Sequence, residues 1–441
     1  MVSAYKSPDS PQGNTAAMKK NLKATRLSRA LAGALVIAAG SAAAQSAAPM
    51  APDAATELDA VEVRGGIIYR DRADEPATLV YDLEFFQAFE PVTVGDMLKR
   101  VPSVAFLSDV LEYDGVRLRG LDPGYTQILI NGKRVPGAGF DRSFFVDRIP
   151  AELVDRIEIV RSSSADRSGD AIAGALNIVL RDGYSLEGGY LRAGAALYPD
   201  DEIEPTLGAV WGGEALGGQL LLGASTQGRR NPKLKYSQRY DEPGGTLDNT
   251  EVQTDTRSGD DYSLNLDYSA DVGPGKLGLN AFFVRTDRLQ DEDSLEFADG
   301  VQTPANLVSV NDNDLDIRTD NYQVGAEYEW QAAGGETRIR LGYAGIDDEQ
   351  FELEDEIEYL RDANPFPEAD RYTGDRTYLD IRDRELSGEV RHTRAVGSSE
   401  LRFGIEATRK DRDTSITTDR NRITIPNAPT PSPAIPGTFG P

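Results

Sequence analysis

Polar and apolar side chains alternate along one segment after another from residue 184 onward. The alternation runs throughout Asp261–Tyr268, Tyr322–Trp330, Arg338–Tyr343 and Leu401–Ala407. A period of two places one set of side chains on each face of an extended strand. The pattern predicts antiparallel strands, arranged either as a sandwich with a dry core or as a membrane barrel whose apolar face meets lipid.

Connections of two lengths separate these segments. Short turns are predicted near Gly212–Gly218, Gly273–Gly275, Ala333–Gly335 and Val396–Ser398, with a first short loop near Tyr198–Pro205. Long polar loops are predicted at about 229–258, 289–317 and 353–375. Alternating short and long connections favour the barrel, and Tyr268, Tyr328 and Trp330 near the short turns fit an interfacial aromatic girdle.

The composition narrows the function classes. The chain has 441 residues, no cysteine, one histidine and a formal net charge of −26. The length favours more than one domain, and the acidity argues against nucleic acid as a partner. Disulfides and thiol chemistry are excluded, and a catalytic triad or zinc site would have to rely on His392 alone. We therefore expect no enzyme and no cofactor.

Two acidic segments raise the possibility of metal binding. Asn311–Asp316 and Asp347–Glu349 are rich in carboxylates. Neither segment has the ligand spacing, the glycine and the terminal glutamate of a calcium-binding loop. Loop acidity usually serves solvation, so we expect no metal site in either segment.

The N-terminal residues predict an export signal. A basic stretch from Met18 to Arg29 precedes a short apolar run, Ala30–Ala39, and small residues that end at Ala44. This order is typical of a cleavable secretory signal peptide, and the apolar run is too short to span a membrane. We assign residues 1–44 to a signal peptide with an N-terminal extension, and Met18 is an alternative start.

A flexible tether, residues 45–74, follows the signal, because Ala and Pro dominate its first part. Within it, small and β-branched residues suit an extended conformation at positions 58–65. An exposed extended segment can add as a strand to the sheet edge of a partner protein. The alternative is an ordinary first strand of the next domain.

Residues 75–183 predict a mixed α/β domain. Thr93 can cap a short helix that ends before Pro102. Asn131-Gly132 between two apolar runs predicts a tight hairpin, since both residues accept the positive φ of a type I′ turn. Pro150 suits the first turn of another short helix.

The same region resembles the plug domain of TonB-dependent outer-membrane receptors. The resemblance rests on four blocks in one order: Val116–Gly120, Tyr125–Val135, Ile149–Arg161 and Asp170–Val179. It covers about residues 58–183 at the level of motifs, and the strand region by pattern alone. Ser162-Ser163, Arg167-Ser168 and Ala173–Ala175 depart from the residues that many relatives carry, which indicates a subfamily.

The resemblance implies a function and a partner. The positions similar to the TonB box, which the periplasmic energy transducer grips, are Leu58, Asp59, Ala60, Val61, Glu62, Val63, Arg64 and Gly65. A receptor of this kind would be an energy-coupled importer of a scarce ligand of the siderophore, vitamin or glycan class. It would lie in the outer membrane, in contact with lipid, as a monomer.

Residues on the plug-like domain carry two further expectations. Arg117, Arg119 and Arg161 are expected to pair with carboxylates on the inner wall of the barrel, because an unpaired buried guanidinium is costly. The alternative is that they lie on solvated strand faces. Tyr125, Gln127 and Arg134, together with the loop 135–140, are weaker candidates for ligand contact.

The predicted architecture is a mixed α/β plug domain at 75–183, followed by an antiparallel transmembrane β-barrel at 184–441. We count roughly nine strands, whereas a barrel wide enough to hold a plug needs about 22. We therefore expect the barrel to be incomplete in this chain. A passive pore or adhesin, a non-functional truncated receptor, and an outer-membrane enzyme dependent on His392 are the alternative functions.

Overall fold

The computed structural model describes residues 70–71, 78–107, 115–135, 144, 146–161, 172–181, 186–298, 300–359, 370–397 and 399–425. All described residues belong to one compact unit, Gly65–Pro441. The predicted signal peptide and the segment Leu58–Gly65 therefore lie outside the described residues. In the described part of the chain, no helix is long and apolar enough to cross a membrane.

A small α/β domain comes first. Its strands and helices are β1 (Arg70–Asp71), β2 (Thr78–Asp82), α1 (Leu83–Gln87), α2 (Val94–Leu98), β3 (Val104–Ala105), β4 (Arg117–Leu118), β5 (Thr126–Ile130), β6 (Lys133–Arg134), β7 (Val154–Val160) and β8 (Gly174–Leu180). Short 3-10 helices lie at Pro123–Tyr125, Val146–Arg148 and Ala151–Leu153. Six strands form one sheet in the order β1-β2-β7-β8-β5-β6, and β5 and β8 are parallel.

Local sequence signals account for several of these elements. Thr93 caps α2, and Asp96 returns the bond, which makes a reciprocal capping box. The hairpin between β5 and β6 turns at Asn131 and Gly132, with φ of 52° and 75°. Both values are positive, as the predicted type I′ turn requires. Pro150 precedes the 3-10 helix Ala151–Leu153, where an α-helical turn was expected.

One face of the small sheet builds the core of this domain. Ile130, Ile157 and Leu176 are fully buried with residues of the two helices, among them Phe86 and Met97. Their neighbours one position away point to the opposite face, which carries Gln127, Arg156, Glu158 and Asn177. The sheet therefore has an apolar face toward the helices and a polar face away from them.

The second part is a nine-stranded antiparallel sheet in chain order, hereafter the wall. Its strands are β9 (Gly188–Leu197), β10 (Ile203–Ala215), β11 (Gly218–Tyr240), β12 (Leu247–Val272), β13 (Gly275–Ala298), β14 (Leu307–Ala332), β15 (Gly335–Glu358), β16 (Asp370–Val396) and β17 (Ser399–Ile425). A 3-10 helix, Pro304–Asn306, precedes β14. Among the described residues, β9 and β17 are the two edges, so the wall is a sheet that does not close into a barrel.

The short turns lie where the sequence predicts them, but the long loops do not. Leu216-Gly217 and Ala333-Gly334 are tight turns with positive φ at both positions. The segments 229–258, 289–317 and 353–375 were predicted as loops. Most of their residues continue the strands instead, and the connections shrink to about 241–246, 299–306 and 359–369.

Polar cross-strand pairs explain this extension. Lys233 bonds Asp255 at 3.4 Å, Asn313 bonds Glu352 at 3.1 Å and Arg239 bonds Glu251 at 3.0 Å. Such pairs stabilise neighbouring strands without any apolar residue. A scan for alternating hydrophobicity therefore misses strands whose two faces are both polar.

The two faces of the wall differ near the short turns. On the outer face, Leu264, Leu341 and Ile405 are exposed, whereas Ser263 and Asn265 on the inner face are buried. A sandwich with a dry core would bury the apolar set. Exposed apolar and covered polar side chains are instead the arrangement of a membrane barrel wall.

The band of exposed apolar side chains on the outer face of the wall ends at charged residues. On β13 it runs from the turn to Phe283, and Arg285 then pairs with Asp320 of β14 at 2.6 Å. The run from residue 275 to 284 has the length of a strand that crosses a bilayer, about 9–11 residues. At the other limit, Tyr328 stacks on Trp330 and donates a hydrogen bond to the Val272 carbonyl at 2.8 Å. Their role as a membrane girdle stays a prediction.

Candidate functional site: the contact between the small domain and the wall

Buried charges join the small domain to the inner face of the wall. Asp147 lies in the 3-10 helix Val146–Arg148 and is fully buried. Its carboxylate accepts a hydrogen bond from Arg229 of β11 at 2.6 Å and lies 3.6 Å from Arg288 of β13. Arg229 also pairs with Asp261 of β12. Two carboxylates and two guanidiniums therefore form one cluster across the contact.

The surroundings of this cluster are tight. The side chains of Arg229 and Arg288 are 11% and 10% exposed. Asp261 is held in turn by the Thr286 hydroxyl at 2.7 Å. Because each ion is removed from water, loss of one partner would leave a buried charge uncompensated. The cluster thus makes separation of the small domain from the wall costly.

A second contact lies around the 3-10 helix Ala151–Leu153. Glu152 forms a salt bridge with Arg192 of β9, and the Tyr190 hydroxyl donates to the Glu152 carbonyl at 3.3 Å. Leu153 lies so close to Gly223 of β11 that a Cβ added there would approach its Cδ2 to 2.5 Å. Gly223 therefore allows the two backbones to approach closely.

The hairpin of β5 and β6 makes the third contact. Lys133 extends over Gly325 of β14 and Gly342 of β15, which pair across the two strands. Its ammonium donates to the Asn280 side chain at 3.2 Å. We call this recess the glycine notch. Burial, and then the neighbouring Arg340, lower the pKa of Lys133, while Glu327 acts in the opposite sense.

A hydrogen-bonded chain fixes the hairpin to the polar face of the small sheet. The Gly132 amide donates to Asn177 at 2.8 Å, and Asn177 donates to Glu158 at 2.9 Å. Glu158 also accepts from Arg156 at 2.9 Å. Burial opposes the charge of Arg156, but bonds to Glu158 and Asp155 prevail and raise its pKa. The chain holds Lys133 in position for the glycine notch.

Contacts within the small domain are seen for two of the three arginines that were expected to pair with the wall. Arg117 forms a salt bridge with Asp122 of its own domain at 2.9 Å. Arg119 is exposed and donates to the carbonyl of Arg161. In the described ion pairs between the small domain and the wall, the charges are reversed relative to this expectation. The carboxylates of Asp147 and Glu152 belong to the small domain, and the arginines belong to the wall. Pairing of Arg117, Arg119 and Arg161 with wall carboxylates stays a prediction.

The candidate ligand residues lie on three different elements of the small domain. Tyr125 is exposed at the end of a 3-10 helix, whereas Gln127, two residues later, faces a cavity against the wall. Arg134 belongs to β6, and the loop 136–140 lies outside the described residues. Their roles in ligand contact stay predictions.

No metal site appears in the part of the chain that the structure describes, where no three acidic or histidine side chains are placed to hold an ion. The segment Asn311–Asp316 is part of β14, and Asp347–Glu349 is part of β15. His392 lies on β16, within 2.9 Å of the Thr337 hydroxyl.

The sequence argument missed Asp147, Arg229 and Arg288. One signal was present, because Asp147 follows the apolar run Phe144–Val146, where a carboxylate is buried only with a partner. The partners could not be found in the same way. Arg229 begins a segment that was interpreted as a polar loop, and Arg288 directly precedes another.

Known proteins match the chain most clearly at the small domain. The family model of the TonB-dependent receptor plug domain matches residues 71–175. The vitamin B12 transporter BtuB of Vibrio vulnificus (strain CMCP6) is 26% identical over 142 residues, which are 29% of this chain and 22% of that protein. The chain thus matches about a fifth of the length of this curated relative.

Solved structures are similar at lower identity. The ferric citrate transporter FecA in the unliganded form has 15% identity and a TM-score of 0.38, over 78% of this chain and 60% of that one. The ferric-catecholate import receptor Fiu from E. coli K12 has 9% identity and a TM-score of 0.36, over 80% and 68%.

The family match covers the domain that carries the motif blocks, the glycine notch hairpin and Asp147. The small domain is therefore a plug domain, and the chain is recognised as a relative of the TonB-dependent receptors.

Proposed function

We propose that this chain belongs to an energy-coupled importer of the outer membrane. The observation that carries the proposal is the buried cluster of Asp147, Arg229, Arg288 and Asp261, which holds the plug domain against the wall. A domain held in this way does not move aside without work. The outer membrane has no ATP, so the work must arrive through a partner protein.

The segment Leu58–Gly65 is the proposed handle for that partner. It precedes the plug domain, and an extended segment can be gripped by strand addition to the sheet of a periplasmic energy transducer. Residues 1–44 are the proposed export signal, which would bring the chain to the periplasm before it enters the outer membrane. Residues 75–183 and 184–441 are the proposed plug and wall regions.

The ligand is proposed as a scarce small molecule of the siderophore, vitamin or glycan class. BtuB, which is similar over the matched stretch, is a vitamin B12 transporter. The plug domain alone does not select among these classes.

Deletion of residues 58–65 tests the proposal. Cells that carry the receptor as their sole importer of this kind receive labelled ferric chelates, cobalamin and an oligosaccharide. The deletion is expected to abolish uptake of the accepted probe while its binding to the cell surface persists. Deletion of residues 50–57, an equal length of tether, is the control and should preserve uptake. Uptake that survives the loss of 58–65 would favour a passive pore.

A further inference from the structure

The plug domain meets the wall in two different ways. Toward β9–β13 it is clamped through Asp147, Glu152 and Leu153, and Lys133, which reaches from Asn280 of β13 to Gly342 of β15, marks the limit of this side. Phe282 and Val284 of β13 even join the same apolar cluster as the plug core. Ion pairs and dry packing together leave little room on this side.

Beyond the contact of Lys133 with Gly342, the plug stands away from strands β15–β17. A cavity of about 440 Å³ separates the polar face of the plug sheet from these strands. Gln127, Asn131 and Asn177 line it on one side, and Arg340, Ser387 and Glu389 on the other. At about 30 Å³ for each water molecule, this volume holds on the order of fifteen waters.

The lining is charged but nearly balanced. The basic lining residues are Lys133, Arg156, Arg338, Arg340 and Arg391, and the acidic ones are Glu158, Glu385, Glu389 and Glu406. Several of these residues form salt bridges with a partner on the same side of the cavity. Arg156 pairs with Glu158 at 2.9 Å on the plug, and Arg391 pairs with Glu389 at 2.5 Å on the wall. Balanced pairs of this kind favour water and polar solutes without preferring one sign of charge.

We infer that the solute path runs between the polar face of the plug sheet and strands β15–β17, and that it accepts polar solutes of either charge sign. The plug remains attached at β9–β13 while this side opens. The inference rests on the proposed function, since it names the side and the chemistry of the path that the importer uses.

Single cysteines can test the side of the path, because the chain has none of its own. Ser387→Cys places a thiol in the cavity, and Ser263→Cys places the matched residue on the clamped inner wall, where Ser263 is 3% exposed. The probes are two small methanethiosulfonates, one with a sulfonate and one with a trimethylammonium group. Both reach either side of the outer membrane through general porins, so the labelling rate reports the access of the reagent to each thiol.

The expected result is that Ser387→Cys reacts at least about tenfold faster than Ser263→Cys, because a buried thiol reacts only after local opening. The two reagents should label Ser387→Cys at rates within about threefold of each other, since the lining is balanced. Faster labelling of Ser263→Cys would overturn the assigned side, and a strong preference for one reagent would overturn the assigned chemistry.

Energisation separates this inference from the proposed function. Labelling of Ser387→Cys is expected to slow when a protonophore removes the energy supply. If Ser387→Cys remains the faster site but its labelling ignores the protonophore, the side of the path stands and energy coupling fails. If the protonophore affects Ser263→Cys alone, energy coupling stands and the path is wrong.

Discussion

Asp147 shows how much of the contact depends on one side chain. It is fully buried and faces two wall arginines that are themselves nearly buried. Removing one partner of a buried ion pair is strongly destabilising, whereas an exposed pair contributes little. The buried ion pairs of Asp147 therefore hold the plug in place, whereas exposed ion pairs on its surface contribute little.

Asp147→Asn should loosen the plug without unfolding the wall. We expect a loss of about 3–5 kcal/mol in the stability of the plug contact, the cost of leaving buried arginines without a carboxylate. Asp122→Asn is the matched control: its pair with Arg117 is 73% exposed on the aspartate side, so the change should stay within about 0.5 kcal/mol. Denaturant titration with limited proteolysis of the plug reports both. Equal effects of the two variants would contradict this role of Asp147.

Gly325→Ala should displace Lys133 from the glycine notch. An added Cβ would overlap the Lys133 ammonium and the Asn280 side-chain oxygen. We expect a cost of about 1–3 kcal/mol from overpacking. Gly278→Ala is the control, because its Cβ would meet a single atom at 3.9 Å. A double-mutant cycle with Lys133→Ala should be non-additive, and additive effects would show that the notch does not hold Lys133.

The pKa of Lys133 predicts a pH dependence. Burial lowers this pKa from 10.5, so the folded state binds fewer protons than the unfolded state between the lowered value and 10.5. The free energy of unfolding should therefore rise with pH across that window. Lys133→Gln should remove this rise, as measured by denaturation of both proteins from neutral pH to 10.5. Parallel curves for the two proteins would refute it.

At the scale of elements, the sequence predicted best where local rules act alone. Asn131-Gly132 predicted its turn because the required φ is a property of those two residues, and Thr93 predicted the start of a helix for the same reason. The halves of β11–β16 that lie far from the short turns were missed. Their stability comes from pairs such as Asn313 with Glu352, in which the two partners lie on different strands. Pairing across strands is not a local property.

Hydrogen exchange can test whether the halves of these strands that lie far from the short turns are paired strands or loops. Amide hydrogen exchange should show residues 247–258 and 307–317 protected, since both belong to long ladders. The turn residues Gly244 and Gly300 should exchange freely and provide the internal control. Exchange of the whole segment 289–317 at the rate of an open chain would restore the loop interpretation.

At the scale of the whole molecule, the alternation in the sequence predicted two faces, and the resemblance placed the plug against the inner one, but neither predicted which strands the plug contacts. Near the short turns the wall exposes its apolar set and covers its polar set, and this favours a barrel wall over a sandwich. The side on which the plug is clamped could not be predicted, because it depends on Asp147, Arg229 and Arg288, which come together from three distant segments. The candidate arginines on the plug were chosen for their charge, and their pairing with wall carboxylates stays a prediction.

Accumulation against a gradient tests the central claim most directly. Cells with this receptor receive each labelled probe at a concentration too low for passive entry through porins to contribute. The periplasmic concentration of the probe is then measured with and without a protonophore. An energised importer should raise one probe above its outside concentration and lose this accumulation with the protonophore, while surface binding remains. A probe that only equilibrates, or accumulates regardless of the protonophore, would contradict energy-coupled import.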